Sequence, residues 1–140
     1  ETRQFYEEFL GMELVKSLMI QKTQSARIVN VLHTFYQMKD GSYLAFFEDP
    51  ERHFNFKRQH DFDLHIALKV EYPILSKMKK KAESFGIEVR GIIDHDFIDS
   101  IYLRDPNGYV IELTSTKESS AIKNLDAKKI LDIWQSDKKK

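Results

Sequence analysis

The sequence contains no cysteine, which excludes both disulfide bonds and thiolate chemistry. Its 22 basic and 22 acidic residues cancel, so no overall charge attracts the chain to nucleic acid or to an anionic membrane. No apolar run approaches the roughly 20 residues that a membrane-spanning helix needs. We therefore expect neither a nucleic-acid nor a membrane partner. The absence of cysteine leaves the compartment open, and we take the cytoplasm as the expected location.

The chain of 140 residues is 41% hydrophobic, which suffices for one domain or for two small halves that share a core. The elements predicted in the first half are a helix over residues 2–10, strands over 12–15, 28–38 and 42–48, and a turn at Asp40-Gly41. Those predicted in the second half are a strand over 64–70, a helix from Pro73 to Phe85, strands over 87–89, 97–104 and 109–115, and a turn at Asn107-Gly108.

The two halves have the same order of elements. Residues 10–14, Leu-Gly-Met-Glu-Leu, match residues 85–89, Phe-Gly-Ile-Glu-Val, and both halves close with a two-residue turn. Two matches in the same order indicate an internal repeat. Only the second half has a strand before its helix, so the repeat predicts that the first strand of the first unit is missing from the chain.

These patterns predict an α+β fold in which two paired βαβββ modules form a cupped mixed sheet. The first module, incomplete at its N-terminus, is placed at residues 1–50, a linker at 51–62 and the second module at 63–116. Residues 117–140 form a tail with an amphipathic helix, which we expect to pack on the domain or on a partner subunit.

Two charged or titratable residues interrupt strands that are otherwise apolar. His65 lies within Leu64–Leu68 and Glu112 within Tyr109–Leu113. A carboxylate is costly to bury unless it is paired or bound to a metal, and histidine with carboxylate is a common ligand set for Fe(II), Mn(II), Zn(II) and Ni(II). The alternatives are a buried His–Glu ion pair and a glutamate that faces solvent at a sheet edge.

The sequence Asp105-Pro106-Asn107-Gly108-Tyr109, within residues 97–113, resembles the closing hairpin of the vicinal oxygen chelate superfamily. This superfamily includes glyoxalase I, fosfomycin-resistance proteins, bleomycin-binding proteins and extradiol dioxygenases. Supporting matches are Phe5-Tyr6-x-x-Phe9-Leu10-Gly11-Met12 and Leu64-His65-Ile66-Ala67-Leu68, and the resemblance covers residues 2–116. It implies paired βαβββ modules, as does the repeat.

The resemblance implies that His65 and Glu112 are metal ligands. It also implies a third ligand, a histidine on the missing strand, about ten residues upstream of Glu1 by the repeat spacing. Glyoxalase I-like members carry a fourth ligand, a glutamate, at the place where Phe46 falls here. Glu48 lies two residues further on, and a slip in register would bring it to the metal. A set of three ligands, with Fe(II) as the favoured metal, resembles the extradiol dioxygenases.

Other residues are candidates for the pocket around this metal. His95 is a candidate acid/base near the mouth of the cup, and the alternative is an ordinary loop histidine in a polar turn. Tyr102 and Arg104 alternate along one strand, so both could bind an oxyanion and Tyr102 could take part in catalysis; core packing is the alternative for Tyr102. A pocket wall made of His33, Tyr36 and Phe46 is likewise weighed against simple aromatic packing.

The function expected from this resemblance is that of a metal-dependent oxidoreductase that cleaves an aromatic diol, chelated to the metal through adjacent oxygens. One alternative is glyoxalase-type isomerisation or thiol addition to an epoxide. The other is a metal-free protein that binds an aromatic compound or an antibiotic. The resemblance also implies a homodimer.

Overall fold

The computed structural model describes residues 1–53, 60, 64–117 and 127–138. A short π-helical segment, Gln4–Phe9, precedes the first sheet. The strands are β1 (Glu13–Lys22), β2 (Ile28–Gln37), β3 (Tyr43–Glu48), β4 (Ile66–Lys69), β5 (Val89–Asp94), β6 (Ile98–Arg104) and β7 (Val110–Thr116). The α-helices are α1 (Tyr72–Phe85) and α2 (Ala127–Asp137).

The second module is a four-stranded sheet in the order β4-β7-β6-β5, with β4 parallel to β7 and the other pairs antiparallel. Helix α1 connects β4 to β5, as a crossover between strands requires. It begins with Pro73 in its first turn and ends at Gly86, whose φ of 67° is left-handed. The predicted βαβββ order of this half is therefore confirmed.

Helix α1 covers one face of this sheet. The buried side chains of the helix, Leu75, Met78 and Ala82, belong to the same core as Ile101, Leu103, Ile111 and Leu113 of β6 and β7. Since side chains alternate along a strand, Tyr102 and Glu112 point to the opposite face. That face carries the candidate site.

The first module is an antiparallel sheet in the order β1-β2-β3, which repeats the meander β5-β6-β7. In the described part of the chain β3 is an edge strand, whereas its counterpart β7 is flanked by the parallel strand β4. The α+β class and the repeated module are confirmed, and the place that the repeat predicts for the first strand lies beside β3.

The π-helical segment joins the two modules. The buried hydroxyl of Tyr6 donates a hydrogen bond of 2.9 Å to Oδ2 of Asp105 in the second module. The ring of Phe9 lies 5.8 Å from that of Phe85. The Lys81 ammonium group donates to the carbonyl oxygens of Glu8 and Phe9, which holds α1 against the segment.

Several predicted bounds and burials were wrong. Strand β1 runs to Lys22, well beyond residues 12–15, because its pairing with β2 extends through a polar stretch that shows no alternation. Strand β5 begins at Val89 and ends at Asp94, where the prediction had residues 87–89. Phe85 falls on the apolar stripe of α1, which predicts that it is buried, but at the end of the helix it is 46% exposed.

The ends of the predicted segments fall partly outside the described residues. This applies to linker and module-two positions 54–59 and 61–63 and to tail positions 118–126 and 139–140, so the module boundaries stay predictions. Helix α2 forms as predicted, but its apolar side chains are exposed: Ile130, Leu131, Ile133 and Trp134. Over the described ranges, neither helix is long and apolar enough to span a membrane.

Candidate metal centre

The register of the second sheet brings four residues into one row. Arg90 on β5 pairs with Tyr102 on β6, Tyr102 pairs with Glu112 on β7, and Glu112 pairs with Ala67 on β4. Paired residues of neighbouring strands project from the same face, so these side chains lie next to one another on the face opposite α1. His65 immediately precedes β4 at the end of this row.

His65 and Glu112 are in direct contact. Nε2 of His65 lies 2.9 Å from Oε2 of Glu112. The Glu112 side chain is 5% exposed, while that of His65 is 33% exposed. A buried carboxylate needs a hydrogen-bond donor, a cation or a metal, and here the imidazole meets that need. The contact brings together one nitrogen atom and one carboxylate oxygen atom, which are of the kinds that bind divalent metals.

Tyr102 links this pair to His95. Its hydroxyl lies 2.9 Å from Nε2 of His95, and its ring meets the His65 ring edge-on at a centroid distance of 5.9 Å. Burial raises the pKa of the Tyr102 phenol, and the negative charge of Glu112 raises it further. Tyr102 is therefore a neutral hydroxyl at neutral pH, able to donate one hydrogen bond and accept another.

His95 lies in the tight turn between β5 and β6. Its backbone N–H donates to the Ile98 carbonyl, and the Asp94 carboxylate accepts a 2.7 Å bond from the backbone N–H of Asp96. Lys117 forms ion pairs with Asp94 and Asp99, and its hydrogen bond to Asp94 lowers the pKa of that carboxyl. These contacts fix the turn that places the His95 ring beside Tyr102.

A bulge in β5 directly follows Arg90. The pairing with β6 is irregular between Gly91 and Ile93, and Gly91 has a φ of +111°. A Cβ atom added at Gly91 would lie 2.5 Å from the carbonyl oxygen of Ser100. Only glycine fits this close contact with the neighbouring backbone. The guanidinium carbon of Arg90 lies 5.5 Å from the centre of the Tyr102 ring.

The structure separates the three aromatic residues predicted to form a pocket wall. Tyr36 and Phe46 face the π-helical segment, and their rings lie 5.6 and 4.7 Å from that of Tyr6. They therefore pack in the core of the first module, which is the packing alternative. His33 lies on the other face of β2 and stacks on Phe47 at 3.8 Å, so of the three it alone lies on the uncovered face.

The structure also changes which residue of β3 corresponds to Glu112, and so which residue matches the fourth metal ligand of glyoxalase I-like members. The pair Gln37–Tyr43 nearest the first hairpin corresponds to the pair Arg104–Val110 nearest the second. Two residues further along each strand, Ala45 is the counterpart of Glu112, which corrects the predicted match to Phe46. Glu48 is three residues beyond Ala45 and faces the opposite side of β3, since alternate residues share a face.

Arg104 shares the site face but is already engaged. Its Nη1 donates a 3.0 Å hydrogen bond to the Gly108 carbonyl, and its Nε lies 3.4 Å from Oε2 of Glu88. These contacts direct the guanidinium group toward Glu88 and toward the hairpin that follows β6. Arg104 therefore shares a face with Tyr102, and its role in substrate binding stays a prediction.

His65 and Glu112 fit two positions of a metal site. Their nitrogen and carboxylate oxygen suit Fe(II), Mn(II), Zn(II) or Ni(II), and one carboxylate is buried where a cation would compensate its charge. Over the described ranges, no group of three or more His, Asp or Glu side chains is placed to hold a metal ion. Any further ligand must therefore come from outside those residues.

A cavity of about 390 Å³ adjoins the edge of β3 that has no partner strand among the described residues. It lies between the two sheets, and its lining is mostly apolar: Tyr6, Leu44, Ala45, Phe46, Phe47, Ile66, Asn107, Tyr109 and Ile111. This is the side of β3 on which the repeat predicts the first strand of the first module.

Arg90 is the site-face residue that sequence reasoning missed. It stands in Val89-Arg90-Gly91-Ile92-Ile93, where one cation interrupts an apolar strand. The same signal drew attention to Glu112 in its strand. The predicted strand over 87–89 ends just before Arg90, so the sequence pattern placed Arg90 outside any strand.

The sequence model of the Glyoxalase/Bleomycin resistance protein/Dioxygenase superfamily matches residues 1–113. The integron cassette protein HFX_CASS4, from the mobile metagenome of the Halifax Harbour sewage outfall, is a similar solved structure with a TM-score of 0.57. It is 27% identical over 81% of this chain and 85% of that chain.

Two further solved structures share the fold at lower identity. The glyoxylase/bleomycin resistance protein/dioxygenase domain from Frankia sp. EAN1pec has a TM-score of 0.67 and 13% identity, covering 83% of this chain and 87% of that chain. The fosfomycin resistance protein FosX from Listeria monocytogenes, complexed with Mn(II) and sulfate, has a TM-score of 0.60 and 15% identity, covering 84% and 83%. No curated protein matches the chain significantly.

Proposed function

The chain belongs to the glyoxalase/bleomycin resistance protein/dioxygenase superfamily, and we propose that it is a metal-dependent enzyme that cleaves the ring of an aromatic diol. The observation that carries the proposal is the 2.9 Å contact between His65 and the buried Glu112 on the open face of the second sheet. This contact supports the proposal, because the two side chains are of the favoured ligand types and that of His65 is 33% exposed.

His65 and Glu112 would hold a divalent metal, with Fe(II) favoured, together with ligands from outside the described residues. Such a metal would supply Lewis-acid chemistry and open coordination positions for two adjacent oxygens of the substrate and for dioxygen. The similar protein FosX is complexed with Mn(II) in its solved structure, and this supports a divalent metal in the proposed site.

Tyr102 and His95 would accept a hydroxyl proton from the substrate. The Tyr102 hydroxyl adjoins Glu112 and shares a 2.9 Å hydrogen bond with His95. A hydroxyl proton of the diol can pass to Tyr102 as Tyr102 passes its own to the His95 ring, which accepts it at Nε2. Ring cleavage by dioxygen places both oxygen atoms in the product, so no external reductant is needed.

The position of Glu48 supports three protein ligands over four. Ala45 stands where a glyoxalase I-like member has its fourth ligand, and Glu48 faces the other side of β3. A four-ligand isomerase needs a carboxylate at the Ala45 position. The alternative, thiol addition to an epoxide, would use the same two ligands. Assays with a thiol and an epoxide distinguish it from ring cleavage.

The test begins with metal content. The full chain, loaded anaerobically with Fe(II) and freed of excess metal, should retain the metal, and Glu112→Ala should lose it. Glu48→Gln is the matched control, since it removes a carboxylate from the last strand of the other module, and it should retain the metal. Loss of metal in Glu48→Gln would instead establish the four-ligand site.

Oxygen uptake then tests the reaction. The Fe(II)-loaded chain should consume dioxygen with catechols, and Glu112→Ala should not. No uptake with any of a panel of catechols would contradict ring cleavage. Binding of an aromatic ligand by the metal-free chain, unchanged in Glu112→Ala, would show the metal-free binding protein.

A further inference from the structure

We infer that Lys117, which directly follows β7, is a positioning residue for proton transfer from Tyr102 to His95, and that it acts from the side of the sheet opposite the site. This inference rests on the proposed function, because the transfer is a step of that reaction. The proton leaves the hydroxyl of Tyr102, which regains one from the diol, and binds Nε2 of His95. Lys117 determines where the His95 ring lies when this happens.

Lys117 reaches the β5–β6 hairpin from the side of the sheet that carries α1. Asp99 pairs with Ser115 across β6 and β7, and Ser115 alternates with Leu113, which belongs to the core beneath α1. Asp99 and Ser115 therefore face away from the site. The ammonium group of Lys117 contacts the Asp99 carboxylate on this side, so its effect on the site passes through the backbone of the hairpin.

Two carboxylates face each other at the end of this hairpin. Asp94 and Asp99 form the final pair between β5 and β6, and like charges directly opposite one another destabilise a strand pair. Nζ of Lys117 lies 2.5 Å from Oδ1 of Asp94 and 3.3 Å from Oδ1 of Asp99. The backbone N–H of Lys117 also donates a 3.0 Å hydrogen bond to the Phe97 carbonyl. One residue thus joins the end of β5, the turn and the start of β6.

This bridge is stronger than an isolated surface ion pair. The Lys117 side chain is 28% exposed and that of Asp99 is 15% exposed, so water screens their contact less than it screens the contact with Asp94, which is 66% exposed. A single exposed pair contributes little to stability, whereas a network of charges contributes more. Removal of the Lys117 ammonium group would leave the two carboxylates opposed.

The position of His95 depends on this bridge through the turn. Oδ1 of Asp94 is the atom that Lys117 contacts, and it also accepts the backbone N–H of Asp96 at 2.7 Å. Asp96 has a φ of 65°, in the left-handed region that aspartate adopts in turns. His95 lies between these two aspartates in the chain. If the Asp94 carboxylate turned away, the Asp96 N–H would lose this acceptor and the His95 ring would move away from Tyr102.

Proton transfer is sensitive to such a displacement. The Tyr102 hydroxyl and Nε2 of His95 lie 2.9 Å apart, within the hydrogen-bond distance that transfer needs. A misplacement of about 1 Å can lower a rate by about 100-fold, so a smaller movement of the turn predicts a loss of about tenfold in kcat. The KM for the diol should stay unchanged, because Lys117 acts from the other side of the sheet.

The first experiment observes the Tyr102–His95 contact by nitrogen NMR of the His95 ring in the metal-free full chain. Tyr102→Phe supplies the Nε2 signal of a ring without this bond. Lys117→Met should move the signal toward that value, and Lys117→Arg, which keeps a cation, should restore most of it. Lys39→Met is the matched control, since Lys39 is an exposed lysine in the β2–β3 turn of the other module, and it should leave the signal unchanged.

A double variant separates the bridge from a general loss of structure. Adding Asp99→Asn to Lys117→Met removes one of the two opposed charges, so part of the Nε2 signal change should be reversed. A purely structural effect of Lys117→Met would instead be made worse by a second change in the same hairpin, and that outcome would overturn the inference.

The second experiment measures oxygen uptake with a catechol by the Fe(II)-loaded full chain. Lys117→Met should lower kcat by about tenfold and leave KM unchanged, and Lys117→Arg should recover most of the loss. A fall in kcat with an equal rise in KM would overturn the inference, and so would an equal fall in Lys39→Met. A shifted Nε2 signal with an unchanged kcat would overturn it as well.

These results are distinct from a failure of the proposed function. An unmoved Nε2 signal in Lys117→Met contradicts the inference whether or not the chain takes up oxygen. If the unaltered chain takes up no oxygen with any catechol, ring cleavage is contradicted, and the NMR signal of the metal-free chain still decides whether Lys117 positions His95 beside Tyr102.

Discussion

Nε2 of His65 and Oε2 of Glu112 lie 2.9 Å apart although 47 residues separate them in the chain. The carboxylate is almost fully buried, and the imidazole is its partner on the open face of the sheet. Without metal the two form a polar pair, and with metal they would become neighbouring ligands. The stability of the protein should therefore respond differently to changes at each residue.

In the metal-free protein, His65→Ala should lower the free energy of unfolding by about 1–3 kcal/mol, because it leaves the Glu112 carboxylate buried without its partner. Glu112→Gln should cost less, since a neutral amide is easier to bury. Urea denaturation measures both. Mn(II) at 100 times its Kd should stabilise the unaltered chain by about 2.7 kcal/mol and neither variant, and equal stabilisation of all three would show that the metal binds elsewhere.

Tyr6→Phe should destabilise the protein by about 1–3 kcal/mol, because it removes a buried hydrogen bond to the Asp105 carboxylate. Tyr43→Phe is the matched control. Its hydroxyl accepts a 3.4 Å bond from Gln37 and its side chain is 51% exposed, so little change is expected. Equal effects in urea denaturation would show that the Tyr6 bond adds nothing to joining the modules.

Stability should fall as the pH rises above about 10, the ordinary pKa of tyrosine. Burial raises the pKa of Tyr6, Tyr36 and Tyr102 in the folded state. At such pH the unfolded chain loses phenolic protons that the folded chain retains, which favours unfolding. Below pH 10 their contribution is complete. Chemical denaturation from pH 8 to 11 should show this decline, and a smaller decline in Tyr6→Phe; a flat profile would contradict it.

Gly91→Ala should cost about 1–3 kcal/mol or more, because alanine is strained at a φ of +111° and its Cβ would meet the Ser100 carbonyl oxygen. Gly41→Ala separates the two causes, since Gly41 also has a positive φ, of +87°, but has nothing within 4 Å of an added Cβ. In thermal unfolding, Gly91→Ala should lower the melting temperature more than Gly41→Ala does. An equal decrease in the two variants would show that the close contact at Gly91 does not contribute.

The turn that carries His95 should open in acid. The hydrogen bond from Lys117 lowers the pKa of Asp94, whose carboxylate also accepts the N–H of Asp96. Because the folded pKa is the lower one, these contacts are complete above the ordinary aspartate range near 4 and are lost as the pH falls through the lowered pKa. The NMR signal of the Asp96 amide should follow the protonation of Asp94, with a midpoint below that range in the unaltered chain. Lys117→Met should move the midpoint upward, and an unmoved midpoint would exclude Lys117 as the cause.

Local chemistry made much of the second module predictable. Pro73 and Gly86 mark the ends of α1, Asn107-Gly108 marks a hairpin, and an isolated Glu112 in an apolar strand marks a place where burial needs compensation. Each of these signals depends on a few neighbouring residues. The family assignment was predictable for the same reason, since its most specific motif is one continuous hairpin.

The register of β3 was not predictable in this way. Phe46 and Ala45 are adjacent, and either could be aligned with Glu112 until the pairing of β3 with β2 put Ala45 on the open face. A one-residue change of register moves every side chain to the other face of a sheet. That choice sent Phe46 into the core and turned Glu48 away from the site.

The sequence by itself determined the repeated α+β module, the family and the two metal-ligand candidates, because helix ends, turns and apolar patterns act over short distances along the chain. Only the tertiary structure decided that Arg90, Tyr102 and Glu112 form one row with His65 at its end and His95 beside Tyr102. Strand pairing, a bulge at Gly91 and the anchored turn at Asp94 set that arrangement. The strand pairs, the approach of Gly91 to Ser100 and the ion pair of Asp94 with Lys117 each join residues that are apart in the chain, which no local pattern records.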